Sequence, residues 1–283
     1  MGKCALIQVR CTTALAAVVL LPILVCSVTA VETVRGQTPL GTWTMKSPTP
    51  TVRAEVAAVA LDGTLHALGG VVDGSSAPTH DEYDPTANSW RTRAPLPELR
   101  DHLAVATGSG KIYAFGGFAT PVHNDASNKS FEYDAVSNAW RVLASMKVAR
   151  GAAGAAMVDG KIHVIGGRFK GPADRTGAHD VYDTATNQWS SAAPLPTPRS
   201  GLASAYYRGL ILVLGGELPP DHTFPENEAY DPKTGRWTAL SPMPHGRHGF
   251  GGDVIGDNAY FVGGSLTPGD AGATDQLLMF HLR

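Results

Sequence analysis

Arginine recurs at Arg53, Arg100, Arg150, Arg199 and Arg247, at spacings of 47, 50, 49 and 48 residues. A guanidinium is always charged and offers a planar fork of donors. Several gathered in one concavity would hold a carboxylate, sulfate or phosphate bidentately. The same groups have a simpler use, each pairing with a neighbouring loop acid or a backbone carbonyl. Residues that depart from the recurrence are the sharper candidates for chemistry. Beside the arginine, only the second unit carries Asp101 and His102, and only the fifth carries His248. Further along, the third unit has Arg168, Phe169, Lys170 and Arg175, and the fourth has Glu217, Asp221, His222, Glu226 and Glu228. Histidine and carboxylate groups of this kind can move protons, or can remain ordinary solvated loop charges. No single unit shows compact metal-ligand spacing, so neither a metal nor a cofactor is expected. The candidate ligand-binding residues are therefore Arg53, Arg100, His102, Arg150, Arg168, Arg199, Glu217, Arg247 and His248, with no catalytic residue assigned.

Other chemistries are excluded by what the chain lacks. No Gly-x-Ser-x-Gly nucleophile elbow occurs. The run Gly108, Ser109, Gly110, Lys111 lacks the Ser or Thr that follows the lysine of a phosphate loop, and it stands at a hairpin turn. The net charge of −2 comes with no block of like charges, so no nucleic-acid partner is expected.

The first thirty residues differ in kind from the rest. Lys3 and Arg10 precede an apolar run from Ala14 to Cys26, and Val28 and Ala30 supply small residues at a cleavage site. This is the pattern of a cleaved secretory leader, and the run is shorter than the roughly 20 residues a membrane span needs. Residues 1–30 are read as the leader, 31–40 as a linker and 41–283 as the folded domain, secreted or periplasmic, with no membrane span after cleavage. Cys4, Cys11 and Cys26 all fall in the leader, which leaves a mature chain without thiols and with a net charge of −4. Disulfides, thiolate zinc sites and cysteine nucleophiles are then excluded, and the fold must rest on its core.

The elements that position the candidates repeat with the arginines. Trp43, Trp90, Trp140, Trp189 and Trp237 each stand ten residues before an arginine. A glycine pair begins sixteen residues after each arginine, as at Gly116 with Gly117 or Gly166 with Gly167. Tyr83, Tyr133, Tyr182 and Tyr230 follow, each trailed by Asp, with Phe280 in the last unit. Within a unit, a strand of small residues follows the arginine, and an aliphatic strand ends at the glycine pair. Turns such as Asp62 with Gly63 or Asp159 with Gly160 join them, and suit a type I′ hairpin. Two further strands carry the Tyr and the Trp.

Four antiparallel strands in about 50 residues is the arithmetic of a propeller blade. The alanine-rich strands suit the crowded axis, which in a ring of five is expected to leave a narrow channel. Five glycine pairs count five blades. The last unit ends without a Trp strand and the first Trp strand, near Gly41 to Lys46, has none before it, so the two are expected to complete one blade and remove two open edges.

The set Arg150, Gly166, Gly167, Tyr182, Asp183 and Trp189, repeated along residues 41–283, resembles the kelch repeat. The resemblance implies an all-β, five-bladed kelch-type β-propeller, where known kelch propellers more commonly have six or seven blades. Galactose oxidase shares that fold and uses copper with a tyrosine crosslinked to cysteine, which a mature chain without cysteine cannot form. Plant specifier proteins hold iron with Glu, Asp and His each four residues apart; Glu217 and Asp221 match, but Pro225 stands where the histidine belongs. Bacterial sialic acid mutarotases are exported kelch propellers too.

The connections between second and third strands, about 71–80, 118–130, 168–179, 217–227 and 265–274, all emerge on one face, here called the top, where the arginines are expected to begin the inner strands. The functional expectation is an exported, monomeric binding module that recognises a protein or glycan partner, such as an acidic sugar, through that face. The alternative is a carbohydrate-active enzyme of the sialic acid mutarotase or isomerase type, with an arginine holding the carboxylate and Glu217 or His102 moving a proton.

Overall fold

The computed structural model describes residues 46–282, save 121, 172, 270, 271 and 275. The expected leader and linker, and the expected closing strand around Trp43, lie outside the described residues. The described residues form five large antiparallel sheets, the blades of a β-propeller, with strands a to d lettered outward from the axis, and two small two-stranded ribbons. Blade 1 comprises Ala57–Leu61, Thr64–Leu68, His80–Asp84 and Ser89–Thr92. Blade 2 comprises Ala104–Gly108, Lys111–Phe115, Ser130–Asp134 and Ala139–Val142, and blade 3 Gly154–Val158, Lys161–Ile165, His179–Asp183 and Gln188–Ser191. Blade 4 comprises Ala203–Tyr207, Leu210–Leu214, Asn227–Asp231 and Arg236–Ala239. Blade 5 shows three strands among the described residues, Gly251–Ile255, Asn258–Val262 and Leu277–Phe280.

Each repeated residue has a mechanical reason. The a–b hairpins of blades 1 to 4 turn through two left-handed residues, φ 46° and 84° at Asp62 and Gly63, as a type I′ turn requires. The aspartate after each tyrosine folds the c–d turn, Asp84 Oδ1 accepting from the backbone of Thr86 and Ala87 at 2.8 and 3.1 Å. Tyr and Trp stand opposite each other on strands c and d, with ring centroids 5.1 Å apart in blades 1, 2 and 3. The tryptophans also tie neighbours together. Trp140 Nε1 donates to Ala94 O, Trp189 to Ala144 O and Trp237 to Ala193 O, at 2.7–2.9 Å. Trp90 makes the same bond to Ser47 O at 2.8 Å.

The core lies between blades. Leu68 and Leu103 pack with Ile112 and Tyr133 between blades 1 and 2, and Phe115 packs with Val164 and Tyr182 between blades 2 and 3. Ile165 and Leu202 pack with Ile211 between blades 3 and 4, and Leu212 packs with Phe250 and Phe261 between blades 4 and 5. Each large side chain buried in these seams contributes about 1.5–3 kcal/mol.

The glycine pair is a close approach between blades, clearest in blade 2. Gly117 N donates to Arg150 O of the next blade at 3.0 Å, and a Cβ on Gly116 would stand 2.1 Å from that same oxygen. Both glycines have positive φ, 65° and 81°. Gly116→Ala is therefore expected to cost about 2 kcal/mol or more in unfolding free energy. Gly209→Ala, at φ 84° in open space, carries only the backbone strain of about 1 kcal/mol. Urea midpoints of the two variants check this, and equal shifts would contradict it.

Candidate functional site

The five sheets surround an axial cavity of about 1170 Å³. Its walls are the alternate residues of the inner strands, among them Ala58, Ala60, Val105, Ala155 and Ser204. The axis is therefore roomier than the narrow channel expected of five blades, because side chains this small leave the space between the inner strands unfilled. At the top of the cavity the character changes, and Glu55, His102, His123, Arg168, Glu217 and His248 line it.

The backbone brings these residues together. The second residue after each recurrent arginine is left-handed in all five blades, φ 53° at Glu55, 52° at His102, 54° at Ala152, 68° at Gly201 and 62° at Gly249. That conformation lets each reach the previous blade. His102 N donates to Glu55 O at 3.3 Å, Ala152 N to His102 O at 3.0 Å, and Gly201 N and Gly249 N to Ala152 O and Gly201 O at 2.9 Å. The result is a girdle of hydrogen bonds across the blades at the mouth. Blades 4 and 5 use glycine there, whereas blades 1 and 2 place Glu55 and His102 at a strain of about 1–2 kcal/mol each. Beside the girdle, the residue after each arginine bridges the residue after each glycine pair: Asp101 with Phe118, Gly151 with Arg168, Ser200 with Glu217, and His248 with Ser265.

Two clusters result. In the first, His102 lies between two carboxylates, Nε2 2.9 Å from Glu55 and Nδ1 2.8 Å from Asp101. His123 Nε2 is 3.4 Å from the same Asp101 oxygen, and Ser76 Oγ donates to the other. Burial pushes the Asp101 carboxyl up, but the hydrogen bonds of His102 and Ser76 and the nearby His123 imidazole outweigh it and hold its pKa below the ordinary value. Burial pulls His102 down while Asp101 and Glu55 raise it, and the carboxylates prevail. The hydrogen bond from His102 lowers the pKa of Glu55. In the second cluster, Arg168 Nη1 lies 3.2 Å from Glu217 Oε1, and the other Glu217 oxygen lies 3.5 Å from His248 Nε2 and accepts from Gly269 N at 3.1 Å. Arg168 stacks on Phe118, its Cζ 5.5 Å from the ring centroid, and burial lowers its pKa. Its Nε is buried without a hydrogen-bond partner among the described residues.

Of the residues singled out from sequence, His102, Arg168, Glu217 and His248 meet at this mouth. The recurrent arginines lie elsewhere, within the blades. Arg53 binds Asp81 at 2.9 Å and Arg150 binds Asp180 at 2.7 Å. Arg199 binds Glu228, and Arg247 binds Gln276 Oε1 at 2.7 Å. Blade 2 has Phe131 in place of the strand-c acid, so Arg100 turns to Glu98 and Ser127 instead. None of the five lines the cavity. Asp221 and His222 sit exposed at a turn of their own small ribbon, and Lys170 is exposed as well. Sequence reasoning missed Glu55 and His123. Glu55 was detectable as a large residue where blades 4 and 5 carry glycine, while His123 lies in a loop with no repeat register.

Residues 55–264 match the family model of the KLHDC2/KLHL20/DRC7 Kelch-repeats domain. The chain belongs to the kelch-repeat family. Among solved structures, this kelch propeller is similar to that of YjhT, with a TM-score of 0.77 and 16% sequence identity over 86% of this chain and 85% of that one. At that identity the likeness is one of fold. No curated protein matches the chain. Among the described residues of the kelch propeller, no helix is long and apolar enough to cross a membrane.

Proposed function

We propose that this kelch propeller is exported and binds a small acidic polyol, of the sugar-acid class, at the top of its axial cavity, where it transfers a proton on that ligand. Arg168 holds the carboxylate, and Glu217 with His248 handles the proton. The observation that carries the reading is Arg168 itself. It is a buried cation with an unpartnered Nε, facing a cavity large enough for a sugar and sharing Glu217 with a histidine. An anomeric exchange removes a proton from a hydroxyl and returns one to the ring oxygen, which a carboxylate and a histidine on one wall are suited to do. Export rests on the leader pattern of residues 1–30.

The test is calorimetric titration with acidic and neutral sugars, together with NMR exchange between anomers. Arg168→Met is expected to weaken binding of the acid at least about ten-fold, the worth of a charge-assisted hydrogen bond. Glu217→Gln is expected to slow exchange more than it weakens binding. Binding of acids no better than of neutral sugars, or binding unaffected by Arg168→Met, overturns the reading.

A second reading, recognition of a partner protein, is favoured by Val122 and Phe169, which are exposed on adjacent top loops joined by a bond from Ala126 N to Phe169 O. Under that reading Val122→Ser with Phe169→Ser abolishes partner capture and leaves sugar binding unchanged.

A further inference from the structure

We infer that Asp101, His102 and His123 form a binding site for a divalent first-row transition ion on the wall of the cavity, independently of the ligand proposed above. One carboxylate oxygen and two imidazole nitrogens converge. Asp101 Oδ1 is 2.8 Å from His102 Nδ1 and 3.4 Å from His123 Nε2, and all three ligand atoms lie within 4.8 Å of one another. Ligand atoms bound at about 2.0–2.2 Å to one ion stand about 3–3.5 Å apart, so both measured edges lie within a few tenths of an ångström of what a metal imposes.

The surroundings are those of a metal site as well. His102 turns its other nitrogen to Glu55 at 2.9 Å, the carboxylate–histidine arrangement that fixes a ligating imidazole and raises its basicity. Ser76 holds the second oxygen of Asp101, leaving Oδ1 to face the histidines. His123 Nε2 is buried with the Asp101 carboxylate 3.4 Å away, longer than an ordinary hydrogen bond, so the nitrogen stays open to an ion lying between the two. The rings of His102 and His123 meet edge to face, 4.4 Å between centroids, so both nitrogens can address one point. Two imidazoles and one carboxylate suit Zn²⁺, Fe²⁺ or Co²⁺ better than Mg²⁺ or Ca²⁺, which prefer oxygen alone. Three protein ligands beside an open cavity leave further positions for water or a bound molecule. Neither the repeat register nor any local spacing reveals this set, because His123 joins the other two only through the fold of its loop.

The experiment uses the full protein without a histidine tag, stripped with chelator and titrated with Zn²⁺ by calorimetry and with Co²⁺ by visible absorption. One ion per chain is expected, with Co²⁺ bands showing nitrogen and oxygen ligation. His123→Ala and Asp101→Asn are expected to weaken Zn²⁺ binding by at least about 10–100-fold and to abolish the Co²⁺ bands, and Glu55→Gln to weaken it less. His222→Ala, on an exposed turn, changes nothing. His123 lies in a surface loop, so the melting temperature of its stripped variant stays near that of the stripped parent while the Zn²⁺-induced rise is lost. Absence of stoichiometric binding to the parent, or unchanged affinity in His123→Ala, overturns the assignment.

Discussion

Taking the pH down from 6.5 towards 4 is expected to strip the propeller of several kcal/mol of stability, because three buried histidines are neutral in the fold. Strands b and c of blades 1 and 3 carry histidine pairs, His66 with His80 and His163 with His179, at Nδ1 to Nε2 distances of 2.9 and 2.8 Å. In each pair the strand-c ring addresses a backbone carbonyl through Nδ1, Ala94 O for His80 and Ala193 O for His179. Its Nε2 is then the acceptor for the partner's N–H, so the hydrogen bonds require neutral rings. Burial is the largest influence and pushes His80, His163 and His179 down to about 4.

The unfolded chain keeps the ordinary value of 6.5 and takes up protons first. Stability is therefore full above 6.5 and falls as the pH drops towards 4, by about 3 kcal/mol for a histidine that must be protonated. Urea midpoints recorded between about pH 7 and about pH 5 test this. His163→Leu with His179→Leu removes both partners together and is expected to reduce the dependence to the share of His80. A midpoint insensitive to pH in the parent protein would refute it.

Arg150→Met is expected to destabilise the fold by about 3–5 kcal/mol, enough to leave little native protein. The guanidinium and Asp180 are both buried, 2.7 Å apart, with side-chain exposures of 0% and 3%. Arg150 also donates to Val148 O and Val164 O at 3.0 Å, so its loss strands a buried carboxylate and two carbonyls. Desolvation by burial lowers the arginine's pKa, and Asp180 offsets part of that. A double-mutant cycle separates the terms. Asp180→Leu with Arg150→Met removes both charges and is expected to recover a substantial part of the loss. Arg168→Met is expected to cost less than Arg150→Met, because Glu217 keeps Gly269 N as a partner at 3.1 Å and borders the cavity, and to weaken ligand binding strongly. Comparable destabilisation by both variants would show that the two arginines share one structural role.

The repeated residues were legible because each performs one local task in every blade. Strand order, hairpin turns, tyrosine against tryptophan and the glycine pair follow from steric and hydrogen-bonding rules acting within about 50 residues, and those tasks recur with the blades. The arginines were recognisable as a set for the same reason, but their partners differ: a strand-c acid in blades 1, 3 and 4, Glu98 in blade 2, and Gln276 with a backbone carbonyl in blade 5. The mouth of the cavity obeys a different logic. Its groups come from positions where the repeat is broken, Glu55 and His102 on the girdle, Arg168 and Glu217 after the glycine pairs, and His248 after the last arginine.

Composition and spacing dictated the propeller, since burying a blade's faces against its neighbours is the way a chain of short sheets excludes water. Which irregular residues touch, and so what chemistry the mouth can perform, was settled by the arrangement of the blades around one axis. That step brings Glu55, His102, Arg168 and Glu217 together from more than a hundred residues of chain, and no local rule encodes such distances.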